Sequence, residues 1–152
     1  MAKFFETSED ILELAQNKFE DTNLPQMGVN LRVVSTTKAR EVLKVGKESA
    51  KTEWLTKEND LCTLIIYEEA FDRLNDEAKE RLMEGVLSNV GYDSEKGKIV
   101  LDNSRYGEIL RMRQKYKNYV DLVEAAELCI EQIADEERER KEAEKEAKAK
   151  KQ

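Results

Sequence analysis

The chain of 152 residues contains no histidine at all. Without an imidazole, neither a Ser-His-Asp triad nor a Cys-His pair can be assembled, and histidine acid–base chemistry is excluded. The same absence removes every metal site that depends on imidazole ligands. The composition therefore excludes several large classes of hydrolase before any pattern along the chain is considered.

Cysteine is also scarce, and the sequence lacks the common phosphate-binding and redox motifs. The two cysteines, Cys62 and Cys129, each lie within an apolar stretch. Two thiolates alone do not make a four-cysteine zinc site, and we expect both to be small buried residues of a cytoplasmic protein. There is no P-loop, no Gly-x-Gly-x-x-Gly and no Cys-x-x-Cys. We therefore predict no cofactor and no metal ion.

Long apolar runs are missing as well. No run reaches the roughly 18 residues of a membrane-spanning helix, and no secretory signal pattern is present at the start. Acidic residues outnumber basic ones by 33 to 26, which gives a net charge of -7. A field of that sign opposes binding to nucleic acid and to anionic membranes. We therefore favour an unknown protein partner over nucleic acid or a membrane.

A change of composition near Ala134 divides the chain. Residues 135–152 contain seven acidic and seven basic side chains and no large apolar residue. Such a segment cannot bury a core face, although its alanines and Glu-before-Lys pairs favour a solvated helix. We predict a single domain over residues 1–134, followed by a charged tail over 135–152 that is helical or disordered.

The body of the chain reads as a small α+β domain with a helical majority and a short three- or four-stranded sheet. A central buried strand is predicted at 61–67, where the apolar run is nearly continuous. Segment 37–45 is ambiguous between helix and strand, and segment 46–59 reads as loop or hairpin. The other predicted strands are 29–33 and 99–101, and the predicted helices are 8–20, 76–90 (capped by Asn75 and ended by Gly91), 104–114 and one from Asn118 into the tail.

The segment from Cys62 to Ile109 carries a resemblance to a known family. Its apolar strand, aromatic turn and capped helix are followed by Val90-Gly91-Tyr92-Asp93 and a glycine-containing hairpin. This order resembles the phage metallopeptidase family of zincin-like proteins. In that family the helix carries His-Glu-x-x-His, in which two histidines bind zinc and the glutamate activates its water. The resemblance implies a small zincin-like domain encoded by a phage and acting in the host cytoplasm.

At the motif itself the sequence departs from the family. Matching Val90-Gly91-Tyr92-Asp93 to the family pattern places Gly85 and Asn89 at the two ligand positions and Val86 at the general-base position. The third ligand would fall within 102–105, where no histidine stands. The resemblance therefore implies a degenerate member with no catalytic residue and no metal, a pseudoenzyme. The residues expected near a surviving groove are Glu84, Asn89, Tyr92 and Asp93.

Three functions follow from these patterns. The favoured one is a non-catalytic, phage-type accessory or interaction protein that binds its partner on a metal-free, peptidase-like fold. A second is a structural or assembly protein that self-associates through the C-terminal helix, whose apolar positions are Leu122, Ala126, Cys129 and Ile133. A third is a metal-dependent hydrolase that uses carboxylates alone, either at Glu68-Glu69 or in an oxygen cluster of Glu84, Asn89 and Asp93.

Two smaller features point to contacts. Gly85 lies inside a predicted helix, where glycine costs roughly 1 kcal/mol against alanine, so we expect another part of the backbone to approach it closely. The basic segment 111–117, together with Tyr116 and Tyr119, has the composition of a weak nucleic-acid face. Given the net charge, we interpret this segment as one polar helix face followed by a loop.

Overall fold

The computed structural model describes residues 2–57 and 60–151 and has an α+β fold, as predicted. In this part of the chain a four-stranded sheet, a two-stranded hairpin and six helices are present. The strands are β1 (Phe4–Phe5), β2 (Asn30–Thr36), β3 (Leu43–Lys47), β4 (Leu61–Tyr67), β5 (Val90–Asp93) and β6 (Lys98–Leu101). The helices are α1 (Glu9–Glu20), α2 (Ala50–Thr56), α3 (Glu68–Phe71), α4 (Asp76–Leu87), α5 (Arg105–Arg113) and α6 (Tyr119–Lys150). None of the helices within the described residues is long and apolar enough to cross a bilayer.

The main sheet is built around β4, which confirms the predicted central strand. The strand order is β1-β2-β4-β3, with β2 parallel to β4 and the two outer pairings antiparallel. Leu61, Leu64 and Ile66 of β4 are fully buried, as expected for a strand flanked by neighbours on both sides. One edge of the sheet is therefore the two-residue β1, and the other is β3.

Helices α1 and α4 pack against each other and against the sheet. Helix α1 buries Ile11, Ala15 and Phe19, the stripe that its sequence predicted. Helix α4 begins at the predicted cap, since the side chain of Asn75 accepts a hydrogen bond of 2.8 Å from the N–H of Ala78. The apolar faces of these two helices form most of the core on this side of the sheet.

In the first half of the chain, one segment differs from the sequence prediction, and the structure decides another that the sequence left ambiguous. Segment 46–59 is not a plain loop, because α2 lies within it and is capped by Ser49, whose side chain accepts from the N–H of Thr52. This helix has no buried residue, so no apolar stripe marked it, and Trp54 is 78% exposed. The ambiguous segment 37–45 is extended at its end, where β3 begins at Leu43.

The end of α4 was also predicted wrongly. The helix stops at Leu87 and not at Val90, and Gly91 is not its cap but lies in β5 opposite Val100 of β6. Val86 and Val90 stand at helical spacing, but Val90 is held instead by antiparallel pairing with Leu101. A contact between strands thus overrides the local helical pattern, and Asn89 lies beyond the helix end.

Helix α6 begins in the predicted domain and continues through most of the predicted tail, so one helix spans the boundary near Ala134. Its buried residues end at Ile133, while residues 138–150 are exposed. The stripe of Leu122, Ala126, Cys129 and Ile133 is buried within the domain. Both cysteines are free and buried, and burial raises the pKa of Cys62 to about 11. The predicted boundary near Ala134 coincides with the last buried side chain, although the helix continues beyond it.

Removal of residues 135–152 is expected to leave the fold intact. The deletion removes exposed side chains and the surface ion pair between Arg73 and Glu136, so we expect the melting temperature to fall by less than about 3 °C. A chain ending at Glu127 also loses the buried Cys129 and Ile133, and we expect it to melt roughly 10 °C lower or more. Thermal unfolding followed by circular dichroism compares the two. Loss of cooperative unfolding in the shorter deletion would show that the tail belongs to the core.

Candidate functional site: a groove beside the edge strand

A groove of about 310 Å³ opens beside β3. Its walls come from segment 40–45, the end of α4, the start of α5 and the first three turns of α6. Apolar side chains supply much of the lining: Leu43, Leu82, Val86, Val123, Ala126 and Ile130. Asn89, Arg105, Glu108 and Glu127 are among its polar residues. Half of the sixteen lining residues are polar or charged, so the groove is a mixed surface and less apolar than a typical small-molecule pocket.

The backbone of β3 presents alternate residues to this side of the sheet. The N–H of Tyr67 donates to the carbonyl of Val42 over 2.9 Å, and the N–H of Glu48 donates to the carbonyl of Leu61 over 3.0 Å. Backbone groups alternate in direction along an antiparallel strand, so those of the even-numbered residues from 42 to 48 face β4. The backbone groups of Leu43 and Val45 therefore point away from β4, but only Leu43 is partly exposed, since Val45 is fully buried. Such an edge is a template for pairing with another extended segment.

Gly85 is explained by the side chain of Tyr119. Tyr119 is fully buried, and its hydroxyl donates to Oε2 of Glu108 over 2.7 Å. The ring of Tyr119 lies directly against Gly85. A Cβ added at Gly85 would lie 2.7 Å from Cζ of Tyr119 and still closer to its hydroxyl oxygen. The predicted approach at Gly85 is thus real, but the approaching group is a tyrosine side chain and not backbone.

Glu108 joins this contact to the end of α4. Its Oε1 accepts from Nδ2 of Asn89 over 2.9 Å, and Asn89 is only 6% exposed. Burial, followed by the charge and hydrogen bond of Glu108, raises the pKa of Tyr119 far above its usual range, so the tyrosine stays protonated and donates. The carboxylate of Glu108 thus receives two neutral donors where it lines the groove.

Arg111 binds the oxygens that the family resemblance would offer to a metal. Its guanidinium donates to Oδ1 of Asn89, to Oδ2 of Asp102 over 2.7 Å and to Oγ of Ser88 over 3.3 Å. Asn89 stands at the second ligand position, and Asp102 lies in the segment predicted for the third ligand. The hydrogen bond from Arg111 lowers the pKa of Asp102, so this carboxylate stays ionised beside the guanidinium. An internal cation therefore already neutralises this position.

The predicted oxygen cluster of Glu84, Asn89 and Asp93 is not formed. Glu84 accepts from the hydroxyl of Tyr116 over 2.6 Å and from Lys115. Burial opposes its ionisation, but these hydrogen bonds outweigh it and lower the pKa of Glu84. Asp93 instead accepts backbone N–H groups in the β5–β6 turn. No group of three or more potential metal-binding side chains occurs within residues 2–57 and 60–151.

The predicted groove residues are therefore divided between different places. Val86 and Asn89 line the groove, whereas Glu84, Tyr92 and Asp93 are not among its lining residues. Tyr92 is half-buried on β5 and packs against the core. These three lie outside this groove because α4 ends at Leu87 and β5 pairs with β6, and their binding role stays a prediction. Only the part of the motif that belongs to α4 and its end contributes to the groove.

The other two candidate sites have structural explanations. Of the basic segment, Lys115 pairs with Glu84 and Arg111 with Asp102, while the ring of Tyr116 lies 4.4 Å from the guanidinium carbon of Arg81. Tyr119 is buried and cannot stack on a nucleic-acid base. Arg111 and Lys115 are thus paired with acidic side chains at the protein surface, whereas Arg113 and Lys117 are exposed.

The carboxylates of Glu68 and Glu69 have different environments. Glu68 is 9% exposed, and its Oε1 lies 3.4 Å from the N–H of Ser8 at the start of α1, where the helix dipole favours a negative charge. Its Oε2 is buried and has no hydrogen-bond partner among the described residues. Glu69 is exposed and lies 3.9 Å from Arg73. Glu68 therefore stabilises a helix end.

Comparisons with known proteins give no family for the chain. It matches no protein-family model, and no curated protein or solved structure is significantly similar to it. The resemblance to the phage metallopeptidases therefore stays a prediction that rests on the residues quoted above. The groove and its hydrogen bonds carry the functional argument by themselves.

The sequence missed the groove residues that come from outside α4. Glu108 and Arg111 stood in a helix of ordinary amphipathic composition, and segment 40–45 had no clear secondary structure. The one available signal was Gly85, a glycine inside a helix, which indicated a close approach without naming the approaching residue. The partners are distant in the chain, so no local pattern connects them.

Substitution of Gly85 by alanine is expected to destabilise the protein by about 3 kcal/mol, because the new methyl group collides with the buried Tyr119. In an exposed helix the same change would stabilise by roughly 1 kcal/mol. Gly46→Ala is the control, since nothing lies within 4 Å of a Cβ there. Urea unfolding of both variants measures the difference. Equal stability of Gly85→Ala and the wild type would refute the close contact.

Proposed function

We propose that the chain is a non-catalytic binding protein that takes up an extended segment of a protein partner in the groove beside β3. The observation that carries this proposal is the outward backbone of Leu43, a partly exposed residue of the edge strand, beside a cavity with both apolar and charged lining. An added strand would gain main-chain hydrogen bonds from the edge, and its alternate side chains would enter the cavity. The two features together suit an extended peptide better than a compact small molecule.

The chemistry at the degenerate motif supports binding over catalysis. Gly85 makes room for Tyr119, Val86 adds apolar surface to the groove, and Asn89 is held by Glu108 and Arg111. Each motif position thus has a packing or hydrogen-bonding role. We include in the proposal the zincin-like, phage-encoded origin and the cytoplasmic setting that the family resemblance implies, since two of its motif positions, Val86 of α4 and Asn89 just beyond α4, lie at the groove.

Self-association through α6 is a weaker alternative. Its predicted apolar stripe is packed inside the domain, so pairing through that stripe would require the helix to leave the core. A carboxylate-only hydrolase is weaker for a similar reason. Glu84 and Asp102 are paired with Lys115 and Arg111, and Glu68 lies at a helix end.

The test is peptide selection on a chain whose groove is filled. A random heptapeptide display library is selected on the immobilised full-length wild type, and the enriched peptides are synthesised. Ala126 lines the groove, so the ring in Ala126→Phe occupies the space proposed for the peptide. We expect its affinity for these peptides to fall about tenfold or more, which corresponds to roughly 1.4 kcal/mol.

Ala134→Phe is the matched control, because it places the same ring on an exposed position of the same helix. It is expected to bind the peptides as the wild type does. Thermal unfolding of both variants confirms that they are folded. If no peptide is selected, or if both variants bind equally well, the groove is not the binding site.

A further inference from the structure

The carboxylate of Glu108 has unused hydrogen-bonding capacity on the groove wall. A carboxylate offers about four lone-pair sites. Two hydrogen bonds are formed, one from Asn89 to Oε1 and one from Tyr119 to Oε2, and both donors are neutral. Glu108 is half-buried and lines the cavity. Its negative charge is therefore oriented by the protein without being neutralised by a direct ion pair.

The cations near the groove are engaged elsewhere or exposed. Arg105 pairs with Glu127, and Arg111 pairs with Asp102. Arg40 and Lys44 line the groove from the β3 side and are exposed to solvent. Among the described residues no lysine or arginine forms an ion pair with Glu108.

A ligand that fills the groove would change the environment of this carboxylate. It would remove water from Glu108, and an unpaired carboxylate in an apolar environment is strongly disfavoured. A lysine or arginine side chain of the ligand would offset this desolvation cost through a charge-assisted hydrogen bond to the carboxylate. An aliphatic side chain at that position would leave the charge desolvated, and an acidic one would be repelled.

We propose that the groove selects protein segments that place a lysine or arginine side chain on Glu108, with apolar side chains on the cavity floor. This inference rests on the proposed function and names the class of partner. It also agrees with the overall charge of -7, which favours approach of a basic segment. Tyr119 is a positioning residue here, since it holds the carboxylate and is not among the lining residues, whereas Asn89 both holds the carboxylate and lines the groove.

The test repeats the heptapeptide selection on full-length wild type and on Glu108→Gln in parallel. We expect lysine or arginine to be enriched at one position of the wild-type peptides and not of the variant's peptides. The best wild-type peptide is then compared with its Gln-substituted form by fluorescence anisotropy. On the wild type the loss of the cation is expected to lower affinity about tenfold, and on Glu108→Gln less than about twofold.

Glu131→Gln is the matched control, because it removes the same charge from an exposed position of α6 outside the groove lining. The Glu131→Gln variant is expected to prefer the lysine- or arginine-containing peptide over its Gln-substituted form, as the wild type does. The peptide comparison on the wild type needs no folded variant, so an unstable Glu108→Gln would not hide the result.

The possible outcomes separate the two proposals. Peptides that bind in the groove, as shown by their loss on Ala126→Phe, but lack a preference for a cation would overturn the role of Glu108 alone. A cation preference that persists on folded Glu108→Gln would overturn it as well. Failure to select any groove-dependent peptide would overturn the proposed function and this inference together.

Discussion

The buried hydroxyl of Tyr119 sets the arrangement of three helices. A tyrosine with no solvent contact must find a hydrogen-bond acceptor inside the protein, and Tyr119 of α6 finds it in Glu108 of α5. To reach Glu108, the ring of Tyr119 passes over α4, and only a glycine at position 85 leaves room for this ring. Glu108 then fixes Asn89 beyond the end of α4. One hydrogen bond therefore sets how α4, α5 and α6 meet along one wall of the groove.

The opposite wall has a different physical character. Strand β3 is an edge, so its outward backbone groups are not committed to the sheet. The groove thus combines a wall of packed helices with an edge strand on which Leu43 is partly exposed and Val45 is fully buried. A preorganised helical wall limits the ordering that binding requires, whereas the edge strand accepts many sequences through its backbone. The proposed recognition of an extended segment rests on this combination, and the proposed role of Glu108 adds a preference for a cationic side chain.

The sequence predicted those elements whose signals are local. The apolar run of β4, the cap at Asn75 and the stripe of α6 were all recognised because each lies within a few turns or strand residues. Helix α2 and strand β5 were missed, since α2 buries no side chain and β5 depends on pairing with β6. Of the residues predicted for a groove only Asn89 lines it, because the contacts of Glu108 join segments that are distant in the chain. Such contacts leave no periodic trace in a single sequence.

We expect no metal ion to bind at Asn89 and Asp102, because the guanidinium of Arg111 already holds their oxygens. Thermal unfolding of the full-length chain in EDTA, zinc, magnesium and calcium, with metal content measured on the same sample, tests this expectation most directly. The account predicts midpoints within about 1 °C of one another and no stoichiometric metal, since the oxygens of Asn89 and Asp102 are held by the guanidinium. One bound zinc per chain, or stabilisation by several degrees with a single cation, would contradict it.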